Sequence, residues 1–527
     1  HFLEALEEFN KIPLYFATKN STPELSMPSI TDTLKDGLTK ADLALAQVNL
    51  AWDLITAIDE DTLPTEVSGR ITFAKEQVQK IKDLLNSVSN HFPAILKLLG
   101  DRYPHRYLVL LQNNYETRAT GGFIGSYSII DVNEGYIEKI DTHDVYHLDN
   151  YFGGYIEPPE ELEPYTTNWR FRDSNYSPDF PTSARKAMWF LEKEGGPSVD
   201  TVIAINQGLL RDMMEITGPI QVGEFGELTS ENYDILISYI VESKVWGSED
   251  PKPILKVFIP AFKEAILKAE GLSQVGFKLH RALEQKHIML YSKDPEIQSL
   301  FESFSVSGQQ YMPDENEDYL SVINWSTGGT KSDQFIEEHI EHETSIDEHG
   351  NIEDTVKITR THTWEEEIYD RWKNILSSYG FKEEMSGQLL DNLGKGRNRV
   401  TVRIYVPAGA ILISSNGSDV ETKYDSELKK TYFKTEVEIN AGETNELEIS
   451  YRLPYTLNFA DEADTYKITI EKQPGSKGSI LTKTISADPE LSNLSIYPKE
   501  VRTDHLGNFV YATNLVYDKY FASVWAK

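Results

Sequence analysis

The stretch RYLVLLQNNYETRATGGFIGSYSIIDV, residues 106–132, decides the fold. YLVLLQ and FIGSYSIIDV read as strands of a buried sheet, apolar with few charges. Between them lie Asn113, Asn114, Glu116, Arg118 and the pair Gly121-Gly122, which are rich in hydrogen-bonding capacity and poor in bulk. Such a segment predicts a polar connection at the end of the sheet. Two roles fit it. Its amides and acid can satisfy the backbone of a buried loop, with Arg118 paired to an acid such as Asp173. Alternatively, glycine-permitted backbone turns N–H groups inward to cradle an anion that Arg118 then grips.

Working outward, strand and helix alternate over residues 101–330. YIEKIDTHDVYHL reads as a third strand and SARKAMWFLEKEG as a helix. DTVIAIN is a buried strand, followed by a helix around LLRDMMEIT. Two further helices, NYDILISYIVES and ILKVFIPAFKEAILKAE, precede the strands HIMLYS and DYLSVIN. This alternation predicts a three-layer α/β core. Residues 1–100 predict a helical hairpin or stalk: Leu34, Leu38, Leu43, Ala46, Leu50 and Leu54 recur at helical spacing, Ser29 and Thr31 suit a cap, and Pro64 opens a second helix. From 331 to 527 the period changes to two. A hairpin turning at His349-Gly350-Asn351, a helical insertion YDRWKNILSSYG and a series of short strands predict an antiparallel β-sandwich of immunoglobulin-like size. The fold class is therefore multidomain α+β: helical hairpin, three-layer α/β core and β-sandwich.

Composition narrows the function classes. A chain of 527 residues exceeds one core, and 39% hydrophobic with 11% aromatic residues suits a folded protein. The net charge of −33 opposes nucleic acid and anionic membrane surfaces as bulk partners. With no cysteine, disulfides, thiolate metal sites and cysteine nucleophiles are excluded. The composition fits an exported bacterial protein. No apolar run of about 18 residues occurs, and a first residue of His1 is compatible with an upstream signal or anchor. The five Asn-x-Ser/Thr matches, at Asn20, Asn175, Asn324, Asn416 and Asn493, are at chance level.

Other constellations carry chemistry of their own. RFRDSNYSPDFPTSARKAMW sets Arg172, Asp173 and Asp179 before a helix, where Asp179, Thr182 and Ser183 suit capping and the helix N-terminus suits an anion. Ser183-x-x-Lys186 has the spacing of a serine–lysine nucleophile without the companion motifs. His143 and His147, with Asp141, Asp144 and Asp149 nearby, have metal-ligand chemistry, but read as surface or loop residues. DENED at 314–318 is half a calcium loop lacking its glycine. His339 and His342 fall on opposite faces of a strand. No metal site is expected from these patterns.

RYLVLLQNNYETRATGGFIGSYSIIDVNEGYI resembles the signature of a bacterial domain-of-unknown-function family, four-zero-one-two. RDSNYSPDFPTSA, VDTVIAINQGLLRDMMEITGPIQV, INWSTGGTKSD, NRVTVRIYVPAGAILISS and LEISYRLP match its pattern, so the resemblance spans roughly residues 90–527. It implies an envelope protein on the outer face of the membrane behind one N-terminal helix. The core is also distantly similar to the LytR–CpsA–Psr family, which transfers lipid-pyrophosphate-linked glycopolymers to the cell wall. By that likeness Asn113, Asn114, Glu116 and Arg118 occupy a first ligand loop and Arg172, Asp173 and Asp179 a second, binding pyrophosphate and a divalent cation such as Mg. The family's aspartate after the first strand is Asn here, and SYIVESKVWGSEDPK lacks its later arginines.

Two functions follow as expectations. One is a non-catalytic, cofactor-free surface scaffold that contacts envelope components, other surface proteins or its own copies, and meets the membrane only through an N-terminal anchor. Exposed sandwich edges would serve such assembly. The other is binding or transfer of a polyprenyl-linked glycan, with Arg118 and Arg172 on the pyrophosphate.

Overall fold

The computed structural model describes residues 29–59, 63–150, 153–160, 162–245, 253–268, 272–461 and 463–527. Asn20 and the stretch WGSEDPK at 246–252 lie outside the described residues. The helices Ile30–Thr56 and Thr65–Leu98 form the expected hairpin. Ser29 caps the first, its Oγ accepting the Asp32 amide at 3.0 Å. Leu34, Ala41 and Ala44 meet Leu85 and Phe92 along the seam. Leu43, Leu50 and Leu54, assigned above to the same stripe, face outward at 50, 63 and 66% exposure. With about 3.6 residues per turn they lie across the helix from Ala41 and Ala44, and one partner helix covers only one side. At its base the second helix packs Ala94 on Ile297, Leu300 and Phe301, while Lys97 bridges Asp294 at 2.7 Å and Glu296 at 2.8 Å.

The core sheet contains β1 (His105–Arg118), β2 (Gly121–Asn133), β3 (Tyr136–Asp144), β4 (Thr201–Asn206) and the strand Ile288–Ser292, in the order β3-β2-β1-β4-(288–292). β1 and β4 are parallel and the other pairs antiparallel. The helix Phe180–Lys193 covers one face through Phe180, Ala184 and Leu191. On the other face Leu209 and Met213 of the helix Gln207–Thr217 pack with Val275 and Ala282 of the helix Leu272–Glu284. Three layers result, as the alternation predicts.

The expected polar loop is instead the tip of one long hairpin. β1 pairs with β2 to Arg118↔Gly121, leaving only Ala119 and Thr120 as the turn. Three residues, 114–116, form a bulge between the pairs Asn113↔Phe123 and Thr117↔Gly122. The turn is sealed, with Ala119 and Thr120 both at 0% exposure, because the sandwich sits on it.

Two seven-stranded sheets build the sandwich. DYLSVIN, expected in the core sheet, belongs here. The strand Asp318–Ser326 lies antiparallel to Asn398–Pro407 and parallel to Ala463–Glu471, so the sandwich begins before residue 331. A second parallel pair joins Ile336–Ile346 to Ser479–Ala487. Fourteen strands exceed the seven to nine of an immunoglobulin domain. The turn at Gly350 forms as expected, at φ +81°, with the Asp347 carboxylate accepting the His349 and Asn351 amides. The inserted helix Glu366–Ser378 packs Trp372 and Leu376 into one cluster with Tyr233 and Leu236 of the helix Tyr233–Ser243. Tyr319 and Trp325 share another with Ala119 and Leu162. Two apolar clusters therefore fasten sandwich to core.

Candidate functional site

The hairpin tip spends most of its polar groups on that junction. Asn114 Nδ2 donates to the Gly475 carbonyl at 3.0 Å, the Thr117 amide donates to Asp333 Oδ2 at 2.9 Å, and Gln473 Nε2 donates to the Arg118 carbonyl at 3.1 Å. Arg118 Nη1 donates to the carbonyls of Thr117 and Ser326, each at 3.1 Å. Its guanidinium lies 5.3 Å from the Phe123 ring and 4.9 Å from that of Trp325. The glycines serve close packing rather than an anion cradle. A Cβ on Gly122 would stand 2.1 Å from the Asn113 carbonyl, and one on Gly475 would stand 2.5 Å from Gly121 Cα.

The second predicted cluster divides. Arg172 Nη1 donates to Asp149 Oδ2 at 2.8 Å, and its Nε lies 3.5 Å from Asp173. Burial raises the Asp173 carboxyl, opposed first by Arg118 and then by Arg172. Arg172 meets this carboxylate directly, and Arg118 acts on it through its charge. Asp149 is driven by burial up to about 6, with Arg172 opposing. Asp179 is engaged throughout as a cap: Oδ2 accepts the Thr182 amide at 3.0 Å and hydroxyl at 2.7 Å, and Oδ1 accepts the Gln310 amide at 3.1 Å.

Beside the tip opens a cleft of about 930 Å3. Its apolar lining comes from Leu111 and Phe123 of the hairpin, Ile205 of β4, and Ile237, Leu255 and Ile259 of the helices Tyr233–Ser243 and Pro253–Lys268. Asn113 and Glu116 line it; Arg118, Arg172, Asp173 and Asp179 do not. Polar groups gather around Lys331, which is 7% exposed. Its Nζ donates to Glu116 Oε1 at 3.0 Å and to Glu242. Those two carboxylates hold the Lys331 ammonium above its usual range despite burial. Asn113 Oδ1 meanwhile accepts the Tyr115 amide at 3.1 Å and orders the bulge. Lys331 and Glu242 escaped the sequence reading. The signal for Lys331 lies in INWSTGGTKSD, where a lysine follows a glycine pair.

His143 and His147 also line the cleft, rings stacked 5.0 Å apart, with His143 Nε2 at 3.1 Å from Asp141. Asp144 instead caps the short helix Val145–Asp149. Ser183 Oγ donates to the Ser177 carbonyl at 2.8 Å, and Lys186 lies over the Trp169 and Trp189 rings at 4.5 and 4.9 Å. No serine–lysine dyad forms there. Among the described residues one group has metal-ligand geometry: Asp318, His342 and Asp354, with ligand atoms within 4.8 Å of one another in the sandwich core. Lys483 supplies a cation to that group, its Nζ 2.8 Å from His342 Nδ1. His339 points to the other side of the strand, toward Thr482.

Residues 103–239 match the family described as "Protein of unknown function (DUF4012)". No curated protein matches the chain. Among solved structures, Lin1025 from Listeria innocua aligns at 12% identity over 41% of this chain and 85% of its own, with a TM-score of 0.24. TagV of B. subtilis aligns at 12% identity over 38% and 79%, with a TM-score of 0.26. A putative nutrient binding protein from Legionella pneumophila aligns at 8% identity over 39% and 70%, with a TM-score of 0.25.

Proposed function

We propose that this chain is the extracytoplasmic part of a bacterial envelope protein with a non-catalytic role, a rigid body that other envelope components dock on. The carrying observation is the condition of Arg118, packed between Phe123 and Trp325 and bonded to carbonyls of both domains. A guanidinium so engaged joins domains and is not available to a pyrophosphate. Arg172, held by Asp149 and Asp173, is likewise engaged. The composition, the resemblance and the family match support the envelope setting; an N-terminal anchor and assembly through sandwich edges belong to the same reading.

The cleft favours a second, compatible reading. Apolar lining beside convergent polar groups is the usual form of a small-molecule site, and this cleft suits an amphiphile: acyl or polyprenyl chain along Ile205, Ile237 and Ile259, head group toward the amides of Gln112, Asn113 and Gln207. This is the binding half of the glycopolymer-transferase alternative, in which a divalent cation would enter only with transfer. The test is incubation with a polyprenyl-pyrophosphate-linked sugar and Mg2+, followed by product analysis and native mass spectrometry. The expected result is bound, unaltered lipid, lost in Ile237→Arg. A transferred or hydrolysed product would overturn the non-catalytic reading; the absence of any complex would overturn the amphiphile reading.

A further inference from the structure

The charged groups that line the cleft offset one another: Glu116, Asp144 and Glu242 against Lys244, Lys256 and Lys331. Lys244 and Lys256 are exposed, where solvent and salt screen them. Lys331 is 7% exposed and is held by both Glu116 and Glu242, so this buried cluster carries one more acid than base. A phosphate placed beside it would meet the surplus negative charge, and the cation it would need is already engaged.

The uncharged lining is rich in amides. Gln112 of β1 is 1% exposed, and neither its Nε2 nor its Oε1 has a hydrogen-bond partner within the protein. Gln207 Nε2 is also buried without one. Both residues line the cleft. Gln207 opens the helix Gln207–Thr217, which has no side-chain cap at Asn206, so the first N–H groups of that helix add donors. A buried amide left unpaired costs free energy that a ligand can relieve, and it asks for a partner that both donates and accepts. A hydroxyl does both, and it can donate to a carboxylate as well. A phosphate or an ether oxygen only accepts. We propose that the polar end of the cleft selects an uncharged, hydroxyl-bearing head group of the glycosyl or polyol class, with Gln112 and Gln207 as its recognition residues. The inference rests on the amphiphile reading of the cleft. A lipid-linked sugar would be held there by its sugar and not by its phosphates.

The test is calorimetric titration of the full chain with ligands that share a dodecyl chain, each below its micelle concentration: dodecyl maltoside, dodecyl phosphate and an oligo(ethylene glycol) dodecyl ether. High salt screens the net charge of −33, so that the phosphate is compared on its contacts alone. The maltoside should bind about tenfold or more tightly than the other two, because a site built for hydroxyls rejects analogues that leave its polar groups unpaired. Shortening the maltoside chain should weaken binding about fourfold for each methylene removed. Gln207→Leu, at a half-buried helix start, should bring the maltoside down to the level of the ether, with ether binding and melting temperature unchanged. Gln112→Leu replaces an unpaired amide by an apolar group of similar shape, so it should also fold and lose the preference. Ether or phosphate binding as tight as the maltoside, or a full preference kept by both variants, would overturn the proposal and leave the amphiphile reading standing. Binding of none of the three would overturn both.

Discussion

Glu194→Gln should raise stability at pH 8 and change it little at pH 5. Glu194 ends the helix Phe180–Lys193 and is 6% exposed, and its carboxylate has only the Phe171 amide as a weak hydrogen-bonding neighbour. Burial, with Asp149 adding to it, raises its carboxyl from 4.5 to about 7; the Phe171 amide, Arg170 and Arg172 act the other way. The charge also faces the negative end of its own helix. Between pH 4.5 and about 7 the folded chain therefore keeps a proton that the unfolded chain releases. Stability is greatest below the lower value and is lost as pH rises through the higher one. A shift of this size corresponds to roughly 3 kcal/mol at pH 8.

Glutamine keeps the shape and never ionises. Its buried NH2 adds a donor to satisfy, at about 1 kcal/mol, so the expected net gain is about 2 kcal/mol at pH 8, with the two proteins within about 1 kcal/mol at pH 5. Core and sandwich are two domains, so global melting reports on both at once. Hydrogen exchange at amides of β1, β2 and β4 reads the core directly. Asp149, raised to about 6, remains in the variant and keeps part of the pH slope. A loss of protection at both pH values would mean that the carboxylate anchors a neighbour; equal slopes in parent and variant would mean that Glu194 ionises as freely folded as unfolded. Either result refutes the reasoning.

Lys331→Met leaves Glu116 and Glu242 facing each other at side-chain exposures of 16 and 23%, and should cost about 3 kcal/mol in urea melts. Lys331→Met/Glu116→Gln/Glu242→Gln should recover most of that, whereas an equal loss in both would assign the cost to packing. Arg118→Ala removes three hydrogen bonds and the stacking on Phe123 and Trp325, and should cost about 2–4 kcal/mol. An unchanged melting temperature would take Arg118 out of the junction and restore it as a ligand group.

What the sequence showed, and what it hid, separates by the range of the interactions involved. DTVIAIN became β4 and the helical period of SARKAMWFLEKEG became Phe180–Lys193 because those patterns report local geometry. The Asp179 cap was legible for the same reason. DYLSVIN was legible as a strand but not as to its sheet: all nine residues of Asp318–Ser326 are buried, and its partners lie at 398–407 and 463–471. Asn114 and Arg118 have the chemistry of a ligand loop and equally that of a domain junction, and their acceptors at Gly475 and Ser326 are too distant in sequence to be inferred. Lys331 shows the reverse: it stood in a glycine turn and gained its meaning only when folding set it between acids contributed by two other segments. Net charge likewise says nothing of which face carries it. A total of −33 averages over faces that the fold keeps apart, and beyond a Debye length of about 8–10 Å each face acts nearly alone.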